Sequence, residues 1–287
     1  DDVESRGLGD VYKRQIYRTI GDKHRMNNII LPSTSIMVTE ACTLKCKLCL
    51  AFVPYYQRHT QMNLQEAKTI FERYFQIVDG VEKVSITGGE PLLNPEIDSI
   101  LKLLYGYADK ILKEIIFITN GTIRFSDTLL ETFANNKKMK VIVNNYSTLL
   151  SPYAEENYNK LCEKGINAIL YTEDNRYGWI DCRNHELKHK TQEACEQQAK
   201  GCAFFQGKKY VINRGRLYTC TRAAYRIQEN VIPYTDDAFL DLLDDEVSVE
   251  FQRNKLNTLL NARSTISCAY CDGLTEKSVK YRAAEQL

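Results

Sequence analysis

Short apolar runs alternate with longer segments in which apolar residues return every three or four positions. The runs cover residues 36–38, 84–87, 115–119, 141–143 and 168–170. Each is short and β-branched enough for a strand. Between them the pattern turns helical. The clearest case places Leu64, Ala67, Phe71, Tyr74 and Val78 on one stripe. Asn63, with Glu66 three residues on, predicts a capping box at its start. A second helix is expected from Asn94-Pro95, with Asn94 as the cap and proline at the first helical position. A third follows Ser126, and a fourth spans about 154–164 and stops at Gly165. Repeated βα units of this kind predict an α/β fold with a parallel sheet and helices outside it, open or closed into a barrel.

Beyond about residue 172 the rhythm breaks. Residues 173–200 are mostly polar, with a helix expected near 191–199. Residues 208–219 read as a hairpin around Asn213-Arg214-Gly215, where the glycine can take a left-handed turn position. A helical stretch is expected over about 237–262, and a CxxC follows within 267–273. The domain reading is a barrel-type unit over 16–190 and a smaller C-terminal unit over 191–287. Residues 1–15 are polar and aperiodic, resemble a translated adapter scar, and are set aside.

The sequence has 287 residues, 44% of them apolar and 26% charged, enough for one large α/β core. A net charge of +1 gives no electrostatic reason for a nucleic-acid partner. No apolar run approaches the roughly 18 residues of a membrane span. No secretory signal is read at the start. The ten cysteines are clustered, which fits metal ligands in a reducing, cytoplasmic setting better than disulfides.

Cys42, Cys46 and Cys49 follow the first expected strand directly, at spacings x3 and x2. In a parallel α/β sheet this is the C-terminal edge, where active sites collect. Three thiolates leave one iron of a 4Fe–4S cubane open, whereas zinc would require a fourth ligand from elsewhere. The second strand ends in Gly88-Gly89-Glu90-Pro91, the third in Thr119-Asn120-Gly121 and the fourth in Asn144-Asn145. Each alone reads as an ordinary turn. In the C-terminal part, Cys202, Cys220 and the pair Cys268 and Cys271 supply four thiolates, suited on spacing alone to a cluster or to a zinc ribbon.

Together these stretches resemble the radical SAM superfamily: CxxxCxxC after strand one, GGEP after strand two and TNG after strand three. The resemblance spans about residues 35–287 and implies a partial (β/α)6 barrel with a small C-terminal iron–sulfur extension containing the β-hairpin. It implies that a 4Fe–4S cluster on Cys42, Cys46 and Cys49 chelates S-adenosylmethionine. Gly88, Gly89, Glu90 and Pro91 would hold the methionyl end. Thr119, Asn120 and Asn144 would contact ribose and carboxylate, and the backbone of Leu48 the adenine. Leu48 stands where the family usually has an aromatic residue. The implied chemistry is reductive cleavage to a 5′-deoxyadenosyl radical that takes hydrogen from a substrate C–H bond, with a one-electron reductant such as flavodoxin or ferredoxin as partner. The C-x12-G-x4-C pattern from Cys202 to Cys220 resembles the start of the SPASM and twitch extensions. A second, auxiliary 4Fe–4S cluster on Cys202, Cys220, Cys268 and Cys271 is implied, with Cys195 as a rival ligand.

Two other readings stay open: a non-catalytic zinc module and, among enzymes, a peptide-modifying maturase. The order of motifs also resembles short radical SAM proteins found with glycan-biosynthesis genes, which favours a sugar or glycan-type substrate. Cys162 reads as a small core residue. Cys182, in the polar stretch beside Asp181, is a candidate hydrogen-atom donor for a redox-neutral reaction. His24, His59, His185 and His189 form no metal spacing, and Tyr177 and Trp179 read as packing residues.

Overall fold

The computed structural model describes residues 28–174, 178–235 and 238–287. The readings made for residues 1–15, His24 and Tyr177 fall outside them.

An eight-stranded sheet in the order β5-β4-β3-β2-β1-β6-β7-β8 organises the molecule. Its strands are β1 (Ile30–Met37), β2 (Gly80–Thr87), β3 (Ile111–Thr119), β4 (Met139–Asn144), β5 (Asn167–Tyr171), β6 (Lys209–Asn213), β7 (Arg216–Tyr218) and β8 (Leu240–Asp241). From β5 to β6 every neighbouring pair is parallel; β7 and β8 add antiparallel pairs. The fold is therefore α/β with a parallel-dominated sheet. Helices α1 (Leu64–Ile77), α2 (Ile97–Tyr105), α3 (Asp127–Ala134) and α4 (Ala154–Glu163) connect the first five strands. One apolar core joins their inner faces to β1–β4, through Phe71, Phe75, Leu101, Leu104, Phe117 and Phe133.

The capping box of α1 is present: Asn63 Oδ1 accepts from the Glu66 amide, and Glu66 Oε2 accepts from the Asn63 amide, both at 2.9 Å. Phe71 and Tyr74 are buried, whereas Leu64 lies at the exposed start. Ser126 caps α3, and α4 is followed by Gly165 at φ +68°.

Three expectations are corrected. Helix α2 begins at Ile97, not after Asn94. Asn94 is buried and donates through Nδ2 to the carbonyls of Val38 and Met62, at 2.8 Å each. It ties the end of β1 to the start of α1. The expected helix over 237–262 is the strand β8 followed by α8 (Val249–Asn261), capped by Ser248. The hairpin assigned to a separate C-terminal extension belongs to the main sheet, because β6 pairs in parallel with β1 from Ser33 to Ile36. Residues Tyr210 to Asn213 of β6 are buried, as suits an interior strand of a sheet covered on both faces. Left-handed φ angles at Arg214 (48°) and Gly215 (72°) make its tight turn.

Beyond β5 the chain also forms α5 (Gln192–Gly201), α6 (Ala203–Gln206), α7 (Thr221–Gln228) and a 3-10 turn, Ile266–Tyr270. The turn of the hairpin is anchored beside the cysteine loop. Glu40, fully buried just past β1, accepts from Arg214 Nε and Nη2 (2.9 Å each), from Asn213 Nδ2 (2.8 Å) and from the Thr60 amide (2.8 Å).

Candidate active site

Cys42, Cys46 and Cys49 occupy the loop that leaves β1, and each sulfur faces N–H donors. Leu44 N donates to Cys42 Sγ at 3.5 Å, and Asn120 Nδ2 lies 3.6 Å from the same sulfur. Gln286 Nε2 donates to Cys46 Sγ at 3.4 Å. Phe52, at φ +55°, turns the chain so that the amides of Val53, Ala51 and Phe52 favour a charged Cys49 sulfur. Burial opposes these donors. It pushes the Cys42 thiol up to about 11 and Cys46 up to about 12, and also raises Cys49. As free thiols they are protonated near neutral pH; a bound metal would replace those protons.

The GGE stretch acts on this loop directly. Gly89 N donates to Thr39 O and Glu90 N to Ala41 O, both at 2.8 Å. A Cβ on Gly88 would stand 2.3 Å from the Thr39 carbonyl oxygen, and one on Gly89 2.1 Å from that of Ala41. These glycines let two backbone segments of this chain meet. Glu90 has partners within the chain. Its carboxylate is fully buried and accepts from Thr119 Oγ1 (2.9 Å), Asn120 N (2.7 Å) and Leu92 N (3.2 Å). Burial raises its pKa to about 7 against those three donors. Through these three partners it braces the TNG loop. Pro91 opens a buried turn behind it.

The TNG loop closes the cradle from the other side. Asn120 Nδ2 donates to Thr43 Oγ1 at 3.0 Å, and Thr43 and Thr122 hydroxyls meet at 2.6 Å. Asn144 Nδ2 donates to Thr119 O at 3.1 Å. Leu48 is buried. Trp179 packs edge-on against Tyr146, and both rest on the apolar cluster of Leu44, Cys46 and Ala284. The segment 285–287 runs along the cysteine loop: Lys47 N donates to Glu285 O (2.7 Å) and Leu287 N to Lys45 O (2.9 Å).

Cys202, Cys220, Cys268 and Cys271 line one small cavity with Arg222 and Phe204. Each sulfur accepts a backbone amide. Leu274 donates to Cys202 (3.4 Å), Ala223 to Cys220 (3.4 Å), Thr265 to Cys268 (3.5 Å) and Gly273 to Cys271 (3.3 Å). Cys220 is also the cap of α7, where the helix terminus favours negative charge. Burial pushes Cys271 up, but the Arg222 and Arg226 guanidiniums and the Gly273 amide pull it below the usual thiol value. Among the described residues no group of three or more His, Cys, Asp or Glu is placed to hold a single metal ion.

Cys195 is not among the residues lining that cavity. It lies on α5, its thiol donates to His189 O at 3.6 Å, and it faces a different cavity beside Thr258 and Leu259. Cys162 is exposed, which corrects its reading as a core residue. Cys182 lies 4.0 Å from Arg222 Nη1 and packs against the ring cluster of Phe52, Tyr56 and Tyr225. That places it beside the four-cysteine cavity, with Phe52 linking it to the loop of Cys49. Phe52, Thr43, Gln286, Arg222 and Arg226 are site residues that sequence reasoning missed. Only the arginines carried a signal, an i,i+4 spacing that puts both on one face of α7.

Residues 36–169 match the family model of the Radical SAM superfamily. This segment, just under half of the sequence, is similar to the domains of that superfamily, which work with a 4Fe–4S cluster and S-adenosylmethionine. A GTP 3′,8-cyclase of Campylobacter jejuni subsp. doylei is 33% identical over 104 residues, 36% of this chain and 30% of that protein. The Aquifex aeolicus GTP 3′,8-cyclase is 30% identical over 138 residues, 46% and 39% of the two chains. The match thus spans well under half the length of these relatives. Two solved structures are similar in fold. BtrN in complex with AdoMet and 2-DOIA has a TM-score of 0.53 and 14% identity, covering 89% of this chain and 98% of that one. Native anSMEcpe with bound AdoMet has a TM-score of 0.53 and 12% identity, covering 88% and 93%. Among the described residues no helix is long and apolar enough to cross a membrane.

Proposed function

We propose that this protein is a radical SAM enzyme that cleaves S-adenosylmethionine reductively and removes a hydrogen atom from a C–H bond of a sugar or glycan-type substrate. Cys42, Cys46 and Cys49 would hold the first 4Fe–4S cluster. When bound, the cluster and S-adenosylmethionine supply a one-electron reduction and a carbon-centred oxidant. This chain's residues then have three tasks. Gly88, Gly89 and Glu90 hold the cysteine loop at the sheet edge. Asn120 and Thr43 fix the rim. Tyr146, Leu150 and Trp179 form an apolar wall that keeps water from the reacting atoms. Strands β5 to β6 would curl as a partial barrel around that space. A flavodoxin- or ferredoxin-type donor in the cytoplasm would deliver the electron.

A second 4Fe–4S cluster would occupy the cavity of Cys202, Cys220, Cys268 and Cys271, in a twitch-like region of 191–287 that is continuous with the main sheet through β6. The observation that supports it best is the backbone amide donated to each of the four sulfurs, the environment that a cluster thiolate needs. A sugar-type substrate rests on the motif order, and the likeness to BtrN concerns the fold. The competing reading is a zinc module.

The test is anaerobic reconstitution followed by iron counting and measurement of 5′-deoxyadenosine. About eight irons per chain are expected. Replacing Cys42, Cys46 and Cys49 by alanine should leave about four and abolish cleavage. Zinc without iron would favour the module, and cleavage retained in the triple variant would defeat the assignment of the site.

A further inference from the structure

Arg222 and Arg226 are among the most deeply buried side chains in the molecule, 2% and 0% exposed. Both lie on α7, one turn apart, with Cys220 at its cap. Arg222 Nη2 donates to Cys202 Sγ at 3.7 Å, its Nη1 lies 4.0 Å from Cys182 Sγ, and its guanidinium covers the Phe204 ring at 4.9 Å. Its Nε has no hydrogen-bond partner. Arg226 donates through Nη1 to Ser267 O and Oγ (3.2 Å each), through Nη2 to Cys182 O (3.4 Å) and through Nε to His185 Nδ1 (3.1 Å). Among the described residues these hydrogen-bond partners are sulfur, carbonyl, hydroxyl and imidazole atoms, with no carboxylate.

Two guanidinium cations cannot stand in a protein interior without compensating negative charge. Arginine does not escape by losing its proton. The anionic atoms within reach are the cysteine sulfurs. Four thiolates around a doubly positive iron–sulfur core leave a dianion, and two arginines neutralise it.

We infer that Arg222 and Arg226 are the built-in counter-cations of the four-cysteine centre, and that Arg222 sets its reduction potential through Cys202. The inference rests on the proposed auxiliary centre. Reduction adds a negative charge to that centre. A fixed cation beside it, in a medium of low dielectric, stabilises the reduced form and raises the potential. The centre is thereby tuned toward accepting an electron.

The experiment uses the full-length chain with Cys42, Cys46 and Cys49 replaced by alanine, so that one centre remains. Its potential is read by electron paramagnetic resonance during a redox titration, alone and with Arg222→Met or Arg222→Lys. Arg222→Met should keep iron and lower the reduced-to-oxidised ratio at fixed potential at least tenfold, a fall of about 59 mV for one electron. Arg222→Lys keeps the charge and should stay near the parent value. An unchanged potential in an iron-loaded Arg222→Met chain overturns the inference. If Arg222→Met loses its iron, Arg222→Lys decides: iron retained at the parent potential supports a need for charge, and iron lost shows a packing role only. A parent chain that takes up no iron removes the auxiliary centre itself, and the inference with it.

Discussion

Gly89 and Ala41 approach so closely that a Cβ on the glycine would stand 2.1 Å from the Ala41 carbonyl oxygen and 2.9 Å from the Cβ of Cys42. The GGE stretch thus acts on the cysteine loop itself. Gly89→Ala should push the loop away from β2, with a cost of about 1–3 kcal/mol for the overpacking. Reconstituted protein should lose about half of roughly eight irons. Full iron content with weakened S-adenosylmethionine binding would instead return Gly89 to direct cofactor contact.

Gln286 supplies an N–H to Cys46 across 240 residues of sequence. Gln286→Leu removes that donor at similar size and destabilises the reduced cluster. Its potential should move negative, with iron retained, in a redox titration of the first centre. No movement would make the contact purely structural. Removing residues 285–287 should do more, because Lys45 and Lys47 lose their backbone pairing and iron release to a chelator speeds up.

The bidentate pair of Arg214 with Glu40 holds the hairpin turn beside the cysteine loop. Arg214→Ala leaves a fully buried carboxylate with one cation fewer. Removing one partner of a buried pair costs about 3–5 kcal/mol. Arg214 is partly exposed, so the lower end is expected. Urea unfolding should show it, with Arg214→Lys recovering only part, since lysine lacks the planar fork.

His185 gives the pH dependence. Burial, with repulsion from Arg226 and Lys188, pushes its pKa down to about 4. The ring is neutral because Nδ1 accepts from Arg226 Nε. The unfolded chain takes up that proton first, near pH 6.5. Stability from this group is complete above about 6.5 and declines as pH falls toward about 4. The urea midpoint of the parent should drop faster over that window than that of His185→Phe. Parallel curves would refute the assignment.

Cys182 remains the proposed hydrogen-atom donor for a redox-neutral outcome. Its S–H bond would break as a substrate C–H bond forms, and the one-electron reductant plus a proton would restore the thiol. In deuterated buffer the parent should place one solvent deuterium in product. Cys182→Ala should form 5′-deoxyadenosine yet fail to make that product. Undiminished deuterium in the variant would eliminate Cys182.

The βα repeat, the caps at Asn63 and Ser126 and the local spacing of Cys42, Cys46 and Cys49 were legible in the sequence. Each is written in residues a few positions apart, within reach of local periodicity or ligand spacing. Strand β1 was legible only at its end. Pro32 and the polar run Ser33 to Ser35 hide its start, and Thr34 is buried there because its hydroxyl meets Tyr74 at 2.7 Å. What joins distant segments was decided by tertiary structure alone. The pairing of β6 with β1, the seat of Glu40 on Arg214 and Glu90 on the TNG loop, and the amide of Gln286 at Cys46 all depend on which surfaces meet. No local pattern encodes that, because a buried polar group can be satisfied by any donor that the fold brings near it.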